Sequence, residues 1–232
     1  MARSNAQIEK PGPAEESDDP SDTLGTMAAD LAILVDPAHT ALVTQECQKG
    51  VLGEKVVFPA LAEIARREMI PNAARLTKAA RAARVPVVHC IAMRRPDGLG
   101  ASTNARIFGA ARKAAVALTP GTEAVEVIDE IGADPADIVL TRYHGIGPMA
   151  GTDLDPVLRN LGTATIVAIG VSINVGMTNL IMDAVNAGYQ VVLPRDAAAG
   201  IPEDYANAVI DNTLSLLATV VTTDDVVGAW GK

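Results

Sequence analysis

Ala164-Thr-Ile-Val-Ala-Ile-Gly-Val-Ser-Ile-Asn-Val-Gly176 is the stretch whose reading decides the fold. Its first half, Ala164–Ile169, is apolar at nearly every position. That pattern belongs to a parallel strand covered by helices on both faces, because a strand with one wet face alternates apolar and polar. Gly170–Gly176 then turns the chain, residues 174–187 take a helical pattern, and Tyr189-Gln-Val-Val-Leu193 reads as the next strand. Strand, crossover helix and strand make a βαβ unit, whose two strands run parallel.

The same alternation extends in both directions. Thr40–Glu46, Val85–Ile91 and Asp137–Thr141 are short β-branched runs that read as strands. Between the first two, a helical pattern runs from Phe58 to Ala83 and is expected to break or kink at Pro71, whose ring and missing N–H disfavour continuation. Residues 104–118 are partly helical and basic. Asp155-Pro156 opens a further helix, with Asp as N-cap and Pro in the first helical position, and Gly162 ends it. Beyond the βαβ unit come a helix from about Glu203 to Ala218, a strand over Thr219–Thr223 and a terminal helical turn. The expected fold is α/β: a three-layer α/β/α sandwich around a mainly parallel, doubly wound sheet. This domain is expected over residues 27–232. Residues 1–26 place Pro11, Pro13 and Pro20 among Glu15, Glu16, Asp18 and Asp19. They bury too little to offset the entropy of ordering, and read as a disordered, acidic and Pro-rich tail.

The totals narrow the function. A chain of 232 residues suits one domain with its own core, and with aromatics at 3% that core must be filled by Ala, Val, Leu and Ile. A formal net charge of -9 argues against nucleic acid or an anionic membrane as a partner, since both need clustered Lys and Arg. No apolar stretch reaches membrane-spanning length, and the N-terminus lacks the apolar segment of a signal peptide. Cys47 and Cys90 are too few for a disulfide framework and have no C-x-x-C spacing, so a reduced cytoplasm is the expected location. Each neighbours a polar strand-end residue, Glu46 or His89, and should point to the opposite face as a small buried hydrophobe.

Ligands of such sheets gather beyond the carboxyl ends of the strands. There Glu46 offers a carboxylate for general acid or base work, or one that merely caps an amide or pairs with an arginine. Arg142 can hold an anion or orient a carboxylate, and a structural salt bridge with Glu46 is the competing reading. His89 and His144 suit proton transfer or substrate contact, although a strand-end histidine is more often a hydrogen-bonded core residue. The turn Gly170–Gly176 presents backbone N–H groups to the same edge, as an oxyanion site requires, or is simply a tight turn. It lacks the G-x-G-x-x-G order of a dinucleotide site and the G-x-x-x-x-G-K-[ST] order of a P-loop. His39, His89 and His144 show no ligand spacing, so neither metal nor cofactor is expected.

Read together, these segments resemble the isochorismatase-like (cysteine hydrolase) superfamily from residue 38 onward. Ala41-Leu-Val-Thr-Gln-Glu-Cys-Gln48 occupies the place of that family's apolar strand ending in Asp-Met-Gln. Gly151-Thr-Asp-Leu-Asp155 with Leu158-Arg159 looks like its Gly-Thr-x-Leu stretch. Asp183-Ala184, Gly188-Tyr189 and Asp196-Ala197 repeat its C-terminal spacing. The resemblance implies a hydrolase of small molecules built as a homodimer or larger homo-oligomer. It also implies catalytic positions at Glu46 for the family's Asp, Arg142 for its Lys and Gly176 for its Cys. On this reading the Ile173–Gly176 backbone, Val175 included, would hold developing negative charge, His89, His144 and Asn174 would touch substrate, and Ser172 is an outside candidate nucleophile with no evident base beside it. A cis peptide is expected between Ser172 and Ile173. With no thiol at residue 176, acyl-enzyme chemistry has no evident nucleophile. True isochorismatases are similar in this respect, carrying a glycine there and hydrolysing a vinyl ether by protonation. The rival reading is a family member that kept the fold, lost the chemistry and binds a metabolite.

Overall fold

A computed structural model describes residues 31–231, so the tail assigned to residues 1–26 lies outside the described residues. The strands are β1 (Thr40–Gln45), β2 (Val87–Ala92), β3 (Ile138–Arg142), β4 (Thr165–Val171), β5 (Gln190–Pro194), β6 (Ala198–Ala199) and β7 (Thr219–Val221). They form one sheet in the order β3-β2-β1-β4-β5-β7, with β6 beside β4. Every ladder is parallel, and β1 pairs from Thr40↔Thr165 to Gln45↔Gly170 with β4 and from Leu42↔Val87 to Gln45↔Cys90 with β2.

The connecting helices are α1 (Pro59–Arg67), α2 (Met69–Ala82), α3 (Arg106–Lys113), α4 (Leu154–Asn160), α5 (Thr178–Asn186), α6 (Glu203–Asn212) and α7 (Thr223–Trp230). Alternation along the strands divides the interior in two, because successive side chains leave a strand on opposite faces. Leu42, Val87, Val167 and Ile169 pack with Leu61, Met69, Leu76 and Trp230 of α1, α2 and α7. Ala41, Val43, Val88, Ile166 and Ala168 pack with Leu154, Leu180, Ile181 and Ile210 of α4, α5 and α6. The three-layer, doubly wound α/β/α fold is therefore as the sequence predicts.

Boundaries shift where local chemistry overrides the pattern. The helical run from Phe58 breaks at Glu68 (φ -138, ψ -46) rather than at Pro71. Pro71 falls in the first turn of α2, where an N–H has no intrahelical partner to lose, so the ring costs nothing there. Similarly, α4 begins at Leu154 after Asp153, which places Asp155 and Pro156 inside its first turn instead of at its cap. The terminal turn is a helix of eight residues, closed at its start by a capping box of Thr222 and Asp225. Strand β4 runs two residues past Ile169, so the turn that follows starts at Ser172.

The chain lays strands outward from β1 in both directions, to β2 and β3 on one side and to β4, β5 and β7 on the other. The order reverses between β1 and β4. The crevice beyond their carboxyl ends, at Glu46 and Ser172–Gly176, is where such a sheet accepts a ligand.

Candidate active site

Glu46 follows the last residue of β1 with φ at +53, in the left-handed region. For a residue with a Cβ this conformation costs on the order of 1–2 kcal/mol, so its surroundings must hold it. The Glu46 N–H donates to the Cys90 carbonyl at 2.8 Å. Two residues on, the Gln48 amide donates to the carbonyls of Ala92 (2.9 Å) and Ala124 (3.2 Å) and accepts from the Ala92 N–H at 2.7 Å. The strand's alternation of faces ends at Gln45, and this braced turn sets where the Glu46 carboxylate lies.

Arg142 ends β3, two strands away, and is 7% exposed. Its Nη2 donates to Glu46 Oε1 and, at 2.7 Å, to the Ile146 carbonyl. Gln45 Nε2 reaches the same two acceptors at 3.4 Å. Arg142 Nε and Nη1 and Gln45 Oε1 are buried and bond to no protein group.

The third component is the turn after β4. The cis peptide stands between Val171 and Ser172, one bond before the expected Ser172–Ile173 position. That displacement follows from the longer strand, whose last residue is Val171. Ile173–Met177 forms a π-helical turn in which the N–H groups of Val175 (3.1 Å) and Met177 (2.9 Å) both donate to the Ser172 carbonyl. Gly176 faces Gln45: a Cβ added there would stand 3.0 Å from Gln45 Nε2 and 3.4 Å from the Val171 carbonyl oxygen. The side chain of Gln45 thus takes the room beside residue 176.

Glu46, Arg142, His144, Ser172, Val175 and Gly176 line one cavity of about 170 Å³. Its walls are mostly apolar and include Val51, Val57, Phe58, Leu61, Ile107, Phe108, Val116 and Leu118. No residue of α3 is fully buried, yet Ile107, Phe108, Ala111 and Arg112 of this helix all line the cavity. Exposed His144 stands at the rim, its Nε2 3.1 Å from the Gly151 carbonyl.

Three expected contacts lie elsewhere. Ile173 is fully buried in the core under α5, and Asn174 Nδ2 donates to the Ile201 carbonyl at 2.9 Å, because the π-helical turn carries both side chains away from the cavity. His89 sits within the sheet at 0% exposure, with Nδ1 2.9 Å from Thr44 Oγ1 and Nε2 3.1 Å from Asp137 Oδ2. Burial pushes the His89 imidazole below its ordinary value, against the opposing effect of Asp137. The hydrogen-bonded core reading is the one this histidine adopts. Cys47 and Cys90 belong to the two cores, one each, and burial pushes both thiols up to about 12, with the Glu46 charge adding to the shift of Cys47. Neither lines the cavity.

Sequence reading missed Arg94, Arg112 and the aromatic walls Phe58 and Phe108. The usable signal was the amphipathic run Arg106-Ile-Phe-Gly-Ala-Ala-Arg-Lys113, whose apolar side has to cover something. Among the described residues, no group of three His, Cys, Asp or Glu side chains could hold a metal ion, and no helix is long and apolar enough to cross a membrane.

Comparison with known proteins agrees with this architecture. The probable isochorismatase of Pseudomonas chlororaphis is 26% identical over 196 residues, 83% of this chain and 87% of its own. The ureidoacrylate amidohydrolase of Agrobacterium fabrum is 31% identical over 114 residues, covering 48% of this chain and 49% of that protein. The chain thus spans about half the length of the first curated relatives it matches, from 44% to 52%. Among solved structures, an isochorismatase family protein from Burkholderia thailandensis superimposes with a TM-score of 0.68 at 26% identity, covering 84% of this chain and 97% of that one. The isochorismatase domain model matches residues 40–225, most of the chain from the first strand to the last helix, and the protein therefore belongs to the isochorismatase family.

Proposed function

We propose that this protein is a small-molecule hydrolase that works without a cysteine nucleophile, with Glu46 as the acid–base group and Arg142 orienting it. The observation that carries this reading is the Glu46–Arg142 pair in a mostly apolar cavity that Ser172, Val175 and Gly176 also line. Arg142 stays protonated and cannot shuttle a proton, so its role is to fix the carboxylate. In amide hydrolysis, Glu46 takes a proton from water as the water oxygen bonds to the carbonyl carbon. The carbonyl oxygen then carries negative charge, which backbone N–H groups of the turn would stabilise. Collapse breaks the C–N bond, and the proton held by Glu46 passes to the leaving nitrogen. A vinyl ether would instead take its first proton on carbon, from the same carboxyl group. Family membership supports hydrolysis, and the glycine at position 176 leaves no thiol to form an acyl-enzyme.

The rival reading, a family member that binds a metabolite without turnover, is favoured by one observation: the Glu46 carboxylate is already bonded by Arg142. Hydrolysis of a panel of small amides, ureides and isochorismate by wild type and Glu46→Gln separates the two. Turnover that disappears in Glu46→Gln is the expected result. Turnover that survives it moves the chemistry off Glu46, and a ligand bound intact points to the binding protein. Two free thiols and the family resemblance support a cytoplasmic homo-oligomer as the working form.

A further inference from the structure

The connection between β2 and β3 holds a segment that neither core claims. From Ala92 to Ala124 no residue is buried, whereas the next longest such stretch among the described residues is only 132–141. Long connections of this kind in a compact domain are commonly functional, as lids or binding loops. The two ends of the segment are drawn together. The Met93 N–H donates to the Arg142 carbonyl at 2.8 Å, and the Arg94 N–H donates to the Leu118 carbonyl, also at 2.8 Å. Beyond that neck, residues 95–117 carry α3. Among the described residues, a single hydrogen bond joins them to a distant part of the chain, from the Gly145 N–H to Ser102 Oγ at 3.0 Å. Their ion pair, Arg95 with Asp97, is internal. Near the start of the segment, no atom stands within 4 Å of the place a Cβ would take at Gly98 or Gly100, so the chain there can turn without meeting a neighbour.

The segment nevertheless turns apolar side chains inward, since Ile107, Phe108 and Val116 line the cavity. Val51 and Leu61 line the same cavity and are 3% and 4% exposed. One wall is thus fixed and closed off from solvent, and the wall facing it across the cavity is half-exposed and lightly tied. We infer that residues 95–117 are a lid, which swings about the Arg94–Leu118 neck to admit a ligand, is latched by Ser102 on Gly145, and lays Ile107 and Phe108 on the ligand's apolar body. The inference rests on reading this cavity as the substrate site, and it adds how that site opens and shuts. A lightly packed segment can open alone, at a smaller free-energy cost than unfolding the sheet. Closure over a ligand removes water, which strengthens the electrostatics of the Glu46–Arg142 pair.

The test is the labelling rate of a thiol placed under the lid. Cys47 and Cys90 lie in the two cores and away from the cavity, so they react only when the fold opens as a whole. Val51→Cys adds a third thiol on the fixed wall, and Leu61→Cys repeats the measurement from α1. With 4,4′-dithiodipyridine, a neutral aromatic disulfide, the added thiol is expected to react more slowly than an unhindered one but roughly a hundredfold or more faster than the native pair, at a rate that sub-denaturing urea hardly changes. Ser102→Ala in the same background should speed this labelling roughly fivefold, the effect of one lost hydrogen bond. Phe108→Ala should speed it further, and neither change should move the urea midpoint appreciably. Reaction in step with Cys47 and Cys90, reaction as fast as that of an unhindered thiol, or a rate indifferent to both lid variants overturns the inference. Gated labelling with no hydrolysis of any panel compound sinks the catalytic reading alone. Hydrolysis that depends on Glu46, with labelling that is not gated, sinks the lid alone.

Discussion

Strand β3 has an acid–arginine cluster at each end, and the two differ in how completely they are closed. At its start, the Asp137 side chain is 3% exposed and accepts from Arg81 at 2.5 Å, from the Asp134 N–H at 2.9 Å and from His89 at 3.1 Å. Both nitrogens of His89 have partners, since Nδ1 meets Thr44. At its far end, Arg142 bonds Glu46 but leaves Nε and Nη1 unmatched, Gln45 Oε1 is likewise orphaned, and the Glu46 side chain stays 22% exposed beside a cavity. Buried polar groups are normally satisfied, and the first cluster obeys that rule. The second breaks it where the topology calls for a ligand. On the proposed function, the closed cluster serves the fold and the open one serves the chemistry.

The largest effect should come from crossing the two clusters with one pair of substitutions. Glu46→Gln is expected to lower kcat by about 10²–10⁴-fold, the range of a lost general acid–base group, with a midpoint in urea close to wild type. Asp137→Asn should do the opposite, destabilising the fold by about 3 kcal/mol through a broken buried pair, while kcat per folded molecule stays at the wild-type value. Urea melts and kinetics on the same preparations decide it. A large kcat loss in Asp137→Asn would erase the distinction between the clusters.

Gly176 sharpens the open side. Gly176→Ala places a methyl 3.0 Å from Gln45 Nε2, and the crowding should cost about 1–3 kcal/mol. Combining it with Gln45→Ser should recover most of that loss, a coupling that a double-mutant cycle measures directly. By the same geometry, Gly176→Cys alone should not create a cysteine hydrolase, because Gln45 occupies the space.

The smallest effect is a titration. His89 is neutral in the fold, with burial holding it below its ordinary value of 6.5. The unfolded chain therefore binds the proton first. Its contribution to stability is whole above 6.5 and is lost as pH falls from there towards the lower folded value, by at most about 1.4 kcal/mol per pH unit. Asp137 adds nothing in this window: burial raises it, but Arg81, the Asp134 N–H and His89 outweigh burial and hold it below 3.8. Stability against pH for wild type and His89→Gln reads the effect, and the slope near pH 6 should flatten in the variant.

The fold was legible because hydrophobic burial is periodic along the chain. Ala164–Ile169 could be nothing other than a covered strand, and the alternation of strands with helices then fixed the layers. The edge that holds the site was legible for a related reason: topology sends strand ends to one edge, which brought Glu46, Arg142 and Gly176 to it and left the contact between Glu46 and Arg142 to the structure. Side-chain direction was not legible. His89 ends the same layer as Glu46 yet turns into the sheet, and Ile173 and Asn174 follow a π-helical turn that no periodicity announces. Arg112 was invisible because it belongs to a connection, and Arg94 because it lies just past the last residue read at the end of its strand. What brings them to the cavity is the path of residues 94–118, which depends on long-range packing.

The position of β3 has one more consequence. It pairs with β2 alone, so one side of its backbone is unpaired among the described residues and two of its five side chains are exposed. Outer strands open more readily than central ones, and their amide protons exchange with solvent sooner. Yet this strand delivers Arg142 to the floor of the cavity. A ligand settling over Glu46 would, through the Glu46–Arg142 bond, steady an edge strand of the sheet, so deuterium uptake over Ile138–Arg142 should slow on binding while uptake over β1 and β4 hardly changes. The periphery of the sheet would then report what its centre holds.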